Sequence, residues 1–452
     1  MNRNAVAASL LSLAVLAACA DRADAPLAPQ AARREAAQNG RTLVAFNNRS
    51  AADVGAAVAA RGGTLEYYHE GTGIAIVGGL TTEAAQALPG AAVAAAEETV
   101  QLDPVAGVET EEATGVAEPQ SPTAPNTAFF FPRQWHHRAI HANTAWAAGR
   151  TGSAGVTVAI LDTGIDYGYP DLVGRVDLSR SVSFVPSDPI PAGFHPVLDR
   201  HYHGTHVAST VASNGNVVAG VTSRVTLIGV KVLGASGSGS NSGVLQGLIW
   251  AADHGADVAN MSLGSYFTKA GNGSFIGLVQ RVLNYAHRKG MLVVVSAGNS
   301  AIDLDHDGNG MTTFCSFANV VCVSATGPTA SASVNGPFTN VDALAGYSNY
   351  GRSAINVAAP GGNQRPVWEA CNRFSLALPV CGTGTFTLGL SGTSMASPHV
   401  AGLAALIVED VGHGNPAQVK ARLQQSADDL GAIGTDPFYG KGRINVARAL
   451  GL

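Results

Sequence analysis

From about residue 129 onward, short apolar runs alternate with amphipathic stretches of helical spacing. Residues 156–161, 225–233, 258–261, 291–296 and 355–358 are hydrophobic segments of strand length, the pattern of strands buried on both faces. Between some of them, residues 243–254 and 275–289 place apolar side chains three and four apart. The alternation predicts a mainly parallel sheet with helices on both sides, in which chemistry gathers beyond the carboxyl ends of the strands. One further run, 395–407, is mostly small or apolar and predicts a helix buried among other elements.

Residues 41–103 have a different rhythm. A strand over 42–46, a helix capped by Ser50 and ended by Gly62-Gly63, strands over 64–68 and 74–77, a short helix over 82–88 and a last strand over 99–102 give a β-α-β-β-α-β order, the plan of a small α+β ferredoxin-like domain. Residues 104–128 are rich in Glu, Pro, Thr and Ala with few large apolar side chains, which predicts an exposed linker. The larger domain then occupies 129–452.

The first residues carry Arg3, an apolar stretch over 5–16 and then small residues, the pattern of an export signal over 1–18 that is too short to span a membrane. Leu16-Ala17-Ala18-Cys19 resembles a bacterial lipobox, which would acylate Cys19; cleavage after Ala18-Cys19-Ala20 also fits. Cysteine counting favours the first, because five cysteines leave one over when four pair. The lipid would be the chain's only link to a membrane, and 19–40 reads as its tether. Cys315, Cys322, Cys371 and Cys381 allow three pairings. Their short separations favour Cys315–Cys322 and Cys371–Cys381, and without a CxxC or a nearby His pattern a metal site is the weaker alternative. A net charge of −5 with no basic stripe excludes nucleic acid as a partner.

Four polar residues stand where elements end. Ser394 lies where the tight turn Gly392-Thr393 becomes a helix, so its backbone N–H is free at the helix start beside a hydroxyl that could attack a carbonyl. Asp162 closes the strand 156–161 and could hold an imidazole rigidly. His203 opens a small-residue helix and could take the serine proton, with His201 and His206 as rivals. Asn299 ends the strand 291–296 and its short extension with a side-chain amide that could meet a developing negative oxygen.

Together, Asp162-Thr163-Gly164, His203-Gly204-Thr205-His206, Ala297-Gly298-Asn299 and Ser391-Gly392-Thr393-Ser394-Met395-Ala396-Ser397-Pro398 resemble the subtilisin-like serine peptidases, the subtilase family or peptidase S8, over about residues 129–452. The resemblance implies a three-layer α/β fold and a serine endopeptidase working through an acyl-enzyme. Asp162 would orient His203, His203 would act as base and acid, Ser394 would be the nucleophile, and Asn299 with the Ser394 N–H would form the oxyanion hole. Ser262, Leu263 and Gly264 would form one wall for the substrate backbone, Ala297 and Gly298 the other, with 234–240 lining a more distant pocket. Protein or peptide substrates are implied, no cofactor for catalysis, and a monomer.

The domain over 41–103 resembles the inhibitory I9-type propeptide of such enzymes, so a self-processing zymogen with a maturation site in the linker is expected. The intact His203 motif argues against sedolisins, which use a Glu there, and Asp162-Thr163-Gly164 argues against the kexin branch. An esterase would need a G-x-S-x-G elbow, which Gly392-Thr393-Ser394-Met395-Ala396 lacks. A catalytically silent binding protein would be marked by loss of a triad residue, and all three are present.

Many relatives bind calcium through an Asp like Asp171 and a longer loop after the histidine helix, but 213–220 is short here. Asp303, Asp305, Asp307 and Asn309 match the first half of a calcium loop, whereas Phe314 stands where a closing Glu would lie. Either a structural Ca2+ or a solvated acidic loop fits that pattern.

Overall fold

The computed structural model describes residues 40–114, 124–264, 266–312 and 314–452. The expected export signal, Cys19 and nearly all of the tether lie outside the described residues. Among those described, no helix is long and apolar enough to cross a membrane.

Seven parallel strands form the central sheet, in the order Val357–Pro360, Val320–Thr326, Leu292–Ser296, Val258–Met261, Thr157–Asp162, Thr226–Lys231 and Val182–Ser183. Side chains alternate along each strand, so the sheet feeds two cores. Val158, Ile160 and Val294 pack with Val400, Leu403 and Ala404 of the long helix Thr393–Val411. Ala159, Leu161, Val293 and Val295 face Leu248 and Val282 of the helices Asn241–Asp253 and Gly273–Arg288. This is the expected three-layer α/β architecture. Val320–Thr326 was not foreseen, because Ser324 and Thr326 break its apolar run. The strand is nevertheless wholly buried, and the Ser324 hydroxyl donates to the Phe438 carbonyl at 2.6 Å, which makes its burial tolerable.

Residues 41–96 form an antiparallel sheet in the order Thr64–His69, Ile74–Gly78, Arg41–Phe46 and Ala91–Ala96, with the helices Ala51–Ala59 and Thr82–Gln86 on one face. Ser50 caps the first helix as expected, its Oγ accepting from Asp53 N at 3.1 Å, and Thr81 Oγ1 caps the second, accepting from Ala84 N at 3.2 Å. The β-α-β-β-α-β order holds, but its last strand is Ala91–Ala96 rather than 99–102. Alanine favours helices over strands, and here tertiary pairing with Arg41–Phe46 overrides that preference.

The other face of this sheet lies on the larger domain, with Leu43, Ala45 and Ile74 entering the second core. Arg281 donates to the Phe46 carbonyl at 2.9 Å, and His69 meets Asp253 at 3.1 Å.

The expected linker is partly structured. Ala106–Glu112 is a strand antiparallel to Phe386–Ser391, which in turn pairs with Val367–Ala370. Cys315 is bonded to Cys322 and Cys371 to Cys381, with Cα separations of 5.1 and 5.7 Å. All four cysteines are buried, and the second bridge closes a loop, 372–380, that is exposed at 376, 377, 379 and 380.

Candidate functional site

Asp162 and His203 are brought together by two glycines. The strand Thr157–Asp162 ends at Asp162, and the helix His203–Val211 begins at His203. A Cβ on Gly204 would lie 2.2 Å from the Gly164 carbonyl oxygen and 3.1 Å from Asp162 Oδ1, so only glycine lets the helix start abut this turn. His203 Nδ1 then sits 2.8 and 3.0 Å from the two Asp162 oxygens. Both side chains are buried, which strengthens the pairing. His203 Nε2 has no hydrogen-bond partner.

Behind this pair is a support that the sequence did not signal. Asp199 accepts from Thr163 Oγ1 at 2.9 Å, from His201 N at 2.8 Å, and from Thr205 N and Oγ1 at 3.1 and 2.7 Å. Thr163 Oγ1 accepts from Gly204 N at 2.9 Å. Lys231, fully buried, donates to the Thr163 carbonyl and pairs with Asp188 at 2.9 Å. Neither rival histidine takes the place of His203. His201 stacks on Tyr202, with burial lowering its pKa to about 4, and His206 Nε2 faces the Val367 and Leu388 carbonyls at 3.1 Å.

Ser394 occupies the second position of the helix Thr393–Val411 and is buried. Four residues later, Pro398 lacks the N–H that would have bonded the Ser394 carbonyl. The Ser262 hydroxyl takes over, donating to that carbonyl at 2.8 Å and lying 2.8 Å from Ser397 Oγ. The strand end Ser262-Leu263-Gly264 is thereby tied to the start of the helix. Ser394 Oγ is turned toward the Ser262 carbonyl at 3.3 Å.

Asn299 is held from the opposite side. Its Oδ1 accepts from Thr393 N and Oγ1, each at 2.8 Å, and Thr393 Oγ1 accepts from Gly298 N at 3.0 Å. Asn349, unnoticed in the sequence, braces the loop. Its amide nitrogen donates to the Ala297 carbonyl at 2.8 Å and its oxygen accepts from Ser300 and Ile302 N at 3.0 Å.

The cleft between these walls contains the chain itself. Thr99–Gln101 pairs antiparallel with Ser238–Ser240, Gln101 bridges to Gly264, and Leu102 N donates to the Gly237 carbonyl at 2.9 Å. This explains the strand pattern over 99–102, which belongs to the cleft. The Asp103 carboxylate lies against Gly298, 3.3 Å from where a Cβ would be. Burial raises its pKa to about 6, against the opposing pull of the Asn299 backbone N–H and His203. Asn299 Nδ2 donates to the Pro104 carbonyl at 3.0 Å, and beyond it Ala106 pairs with Ser391. Glu97 reaches the start of the helix Asn241–Asp253, accepting from Ser242 N at 2.9 Å, where an anion is favoured.

The candidate calcium residues do not converge. Asp303 binds His306 at 2.8 Å, Asp305 accepts from Arg352 N, Ser353 N and Ser353 Oγ, Asp307 pairs with Lys269 at 3.1 Å, and Asn309 accepts from Ala270 N at 2.8 Å. Each side chain is engaged by a different protein partner, so the arrangement does not fit a calcium cage. Asp171 is likewise taken, its carboxylate accepting from Asn216, Val217 and Val218 N at 2.6–3.2 Å. In the short loop 213–220, backbone amides thus satisfy the Asp171 carboxylate.

Residues 153–442 match the profile of the Subtilase family. The chain is 35% identical over 318 residues to Subtilisin Savinase of Lederbergia lenta, covering 70% of this chain and 97% of that protein. It is 32% identical over 330 residues to thermitase of Thermoactinomyces vulgaris, covering 72% and 99%. A crystal structure of the epidermin leader peptide processing serine protease from Staphylococcus aureus superposes with a TM-score of 0.70 at 23% identity, over 91% of this chain and 98% of that one, which is a likeness of fold.

If the acidic loop is held by protein donors alone, a chelator should shift the melting temperature equally in wild type and Asp305→Ala, while the substitution itself costs about 1 kcal/mol from lost hydrogen bonds to a charged group. A chelator shift that disappears in Asp305→Ala would mean that the loop binds calcium.

Proposed function

The chain belongs to the subtilase family of serine endopeptidases, and from that premise we propose a division of labour among the residues at the strand ends. It hydrolyses peptide bonds in proteins or peptides and needs no catalytic cofactor. Ser394 Oγ attacks the scissile carbonyl carbon and passes its proton to His203 Nε2, while Asp162 fixes the imidazole through Nδ1. The oxygen that becomes negative takes hydrogen bonds from Asn299 Nδ2 and the Ser394 N–H. His203 returns the proton to the leaving amine, and water then releases the acyl group. The reading is carried by the buried Asp162–His203 pair with its unpartnered Nε2, beside an Asn299 amide already bonded to a peptide carbonyl. Ser262, Leu263, Gly264, Ala297 and Gly298 hold the substrate backbone and first side-chain pocket.

The enzyme is made as a zymogen. Residues 41–96 are the inhibitory domain, and 99–104 run through the cleft as its tail. The Pro104 carbonyl on Asn299 and the pairing of Ala106 with Ser391 favour a self-cut at Pro104–Val105. Residues 1–18 direct export, and acylated Cys19 holds the precursor, a monomer, at the envelope. Because that lipid lies on the propeptide side of the cut, maturation releases the active domain.

Replacing Ser394→Ala should abolish peptide hydrolysis and leave the precursor uncut, whereas wild type acquires Val105 as its N-terminus. Maturation of Ser394→Ala in isolation, or a first cut remote from Val105, detected by N-terminal sequencing, would contradict self-processing at this bond.

The tail should also respond to pH. Because docking raises the Asp103 pKa from 3.8 to about 6, its protonated form is favoured in the cleft. This contribution is full below the ordinary aspartate range and is lost as pH rises through about 6. In the Ser394→Ala chain, residues 99–105 should be cut by an added protease more readily at pH 7 than at pH 5, relative to a control peptide. Asp103→Asn should remove the difference. No difference in the parent chain, or the same difference in Asp103→Asn, would overturn this account.

A further inference from the structure

Away from the Asp162–His203 pair, the short helix Trp135–Ala139 meets the helix that carries Ser394, and fully buried histidines face one another there. One ring nitrogen from each of His136, His137 and His399 lies within 4.8 Å of the others, and His136 Nδ1 is 2.8 Å from His399 Nε2. None of the three is needed for the peptidase chemistry. Their hydrogen bonds reveal which nitrogens hold protons. His399 Nδ1 is 2.8 Å from the Met395 carbonyl and His137 Nε2 is 2.7 Å from the Ala219 carbonyl. A carbonyl only accepts, so both nitrogens carry hydrogen; His137 Nδ1 then presents a free lone pair, while the lone pair of His399 Nε2 accepts from His136 Nδ1, whose hydrogen a metal would replace.

His137 Nδ1 and His136 Nε2 have no hydrogen-bond partner. Two buried, unpartnered ring nitrogens in one cluster are uncommon in a folded interior. Imidazoles whose second N–H is fixed by a backbone carbonyl have the arrangement of metal ligands.

We propose that His136, His137 and His399 bind one imidazole-preferring divalent transition metal, of which zinc is the representative. The site would tie the segment that enters the larger domain to the helix bearing the nucleophile. Bonds of about 2 Å to a tetrahedral ion place the nitrogens roughly 3.3 Å apart, and here one nitrogen from each ring already lies within 4.8 Å of the others. Calcium and magnesium would need oxygen ligands, which the three rings do not offer. Glu369, also fully buried, lies 3.4 Å from His137 Nε2 and has one oxygen without a partner. It supplies negative charge just outside the ligands, offsetting a buried cation.

The test uses the tag-free full chain with Ser394→Ala, so that it stays one species, folded with zinc present and freed of loose ion by gel filtration. The expected result is one zinc per chain, with a zinc-edge X-ray absorption spectrum that counts three imidazoles. His136→Gln and His137→Gln, where they fold, should each weaken zinc at least tenfold, while Asp303→Asn with Asp305→Asn leaves it bound. A folded chain that retains no stoichiometric zinc would overturn the site. So would zinc held by carboxylates, or equal retention in the folded histidine variants. If those variants fail to fold, the spectrum and stoichiometry of the parent chain decide.

Discussion

A carboxylate and an imidazole kept in contact out of water set the terms for the rest of the cleft. Asp162 and His203 arrive from different elements, and Gly204 permits the approach because any side chain there would strike the Gly164 carbonyl. Burial strengthens their interaction but makes any misplacement costly. A second layer therefore holds the turn and the helix start, with Thr163, Asp199, Thr205 and the buried Lys231 sharing hydrogen bonds that leave little freedom. The pair is rigid because its surroundings are over-determined.

The same economy recurs around Ser394. Pro398 deprives the helix of a bond at the residue that carries the hydroxyl, and Ser262 uses the released carbonyl to connect the helix to the strand end Ser262-Leu263-Gly264. Thr393 performs the equivalent service on the other side, joining Asn299 and Gly298 to the helix start. The two walls of the cleft are thus registered to one another through the first turn of a single helix. The chain's own segment 99–106 can lie between them as an added strand, contacting both through backbone groups.

Much of this was legible in the residues. Continuous apolar runs marked five of the seven central strands, and the four polar residues picked out at element ends lie around one cleft, because a parallel sheet leaves few other places for them. What escaped were features decided by partners distant in sequence. Ala91–Ala96 is a strand only because Arg41–Phe46 lies beside it, and Ala106–Glu112 is polar along its length yet is ordered by Phe386–Ser391. Asp199, Lys231 and Asn349 support the site through contacts no local motif encodes. The acidic loop misleads in the opposite direction, since the spacing of its carboxylates suggests a cation, whereas the folded chain supplies each with its own donor.

In the proposed mechanism Asp162 works by holding His203 in one tautomer and orientation. Replacing it with asparagine keeps the shape and reverses that preference. With the propeptide removed in trans by wild-type enzyme, kcat of Asp162→Asn on a peptide substrate should fall by about four orders of magnitude, as loss of this partner does in a serine triad, with little change in KM. A kcat within tenfold of wild type would contradict the account.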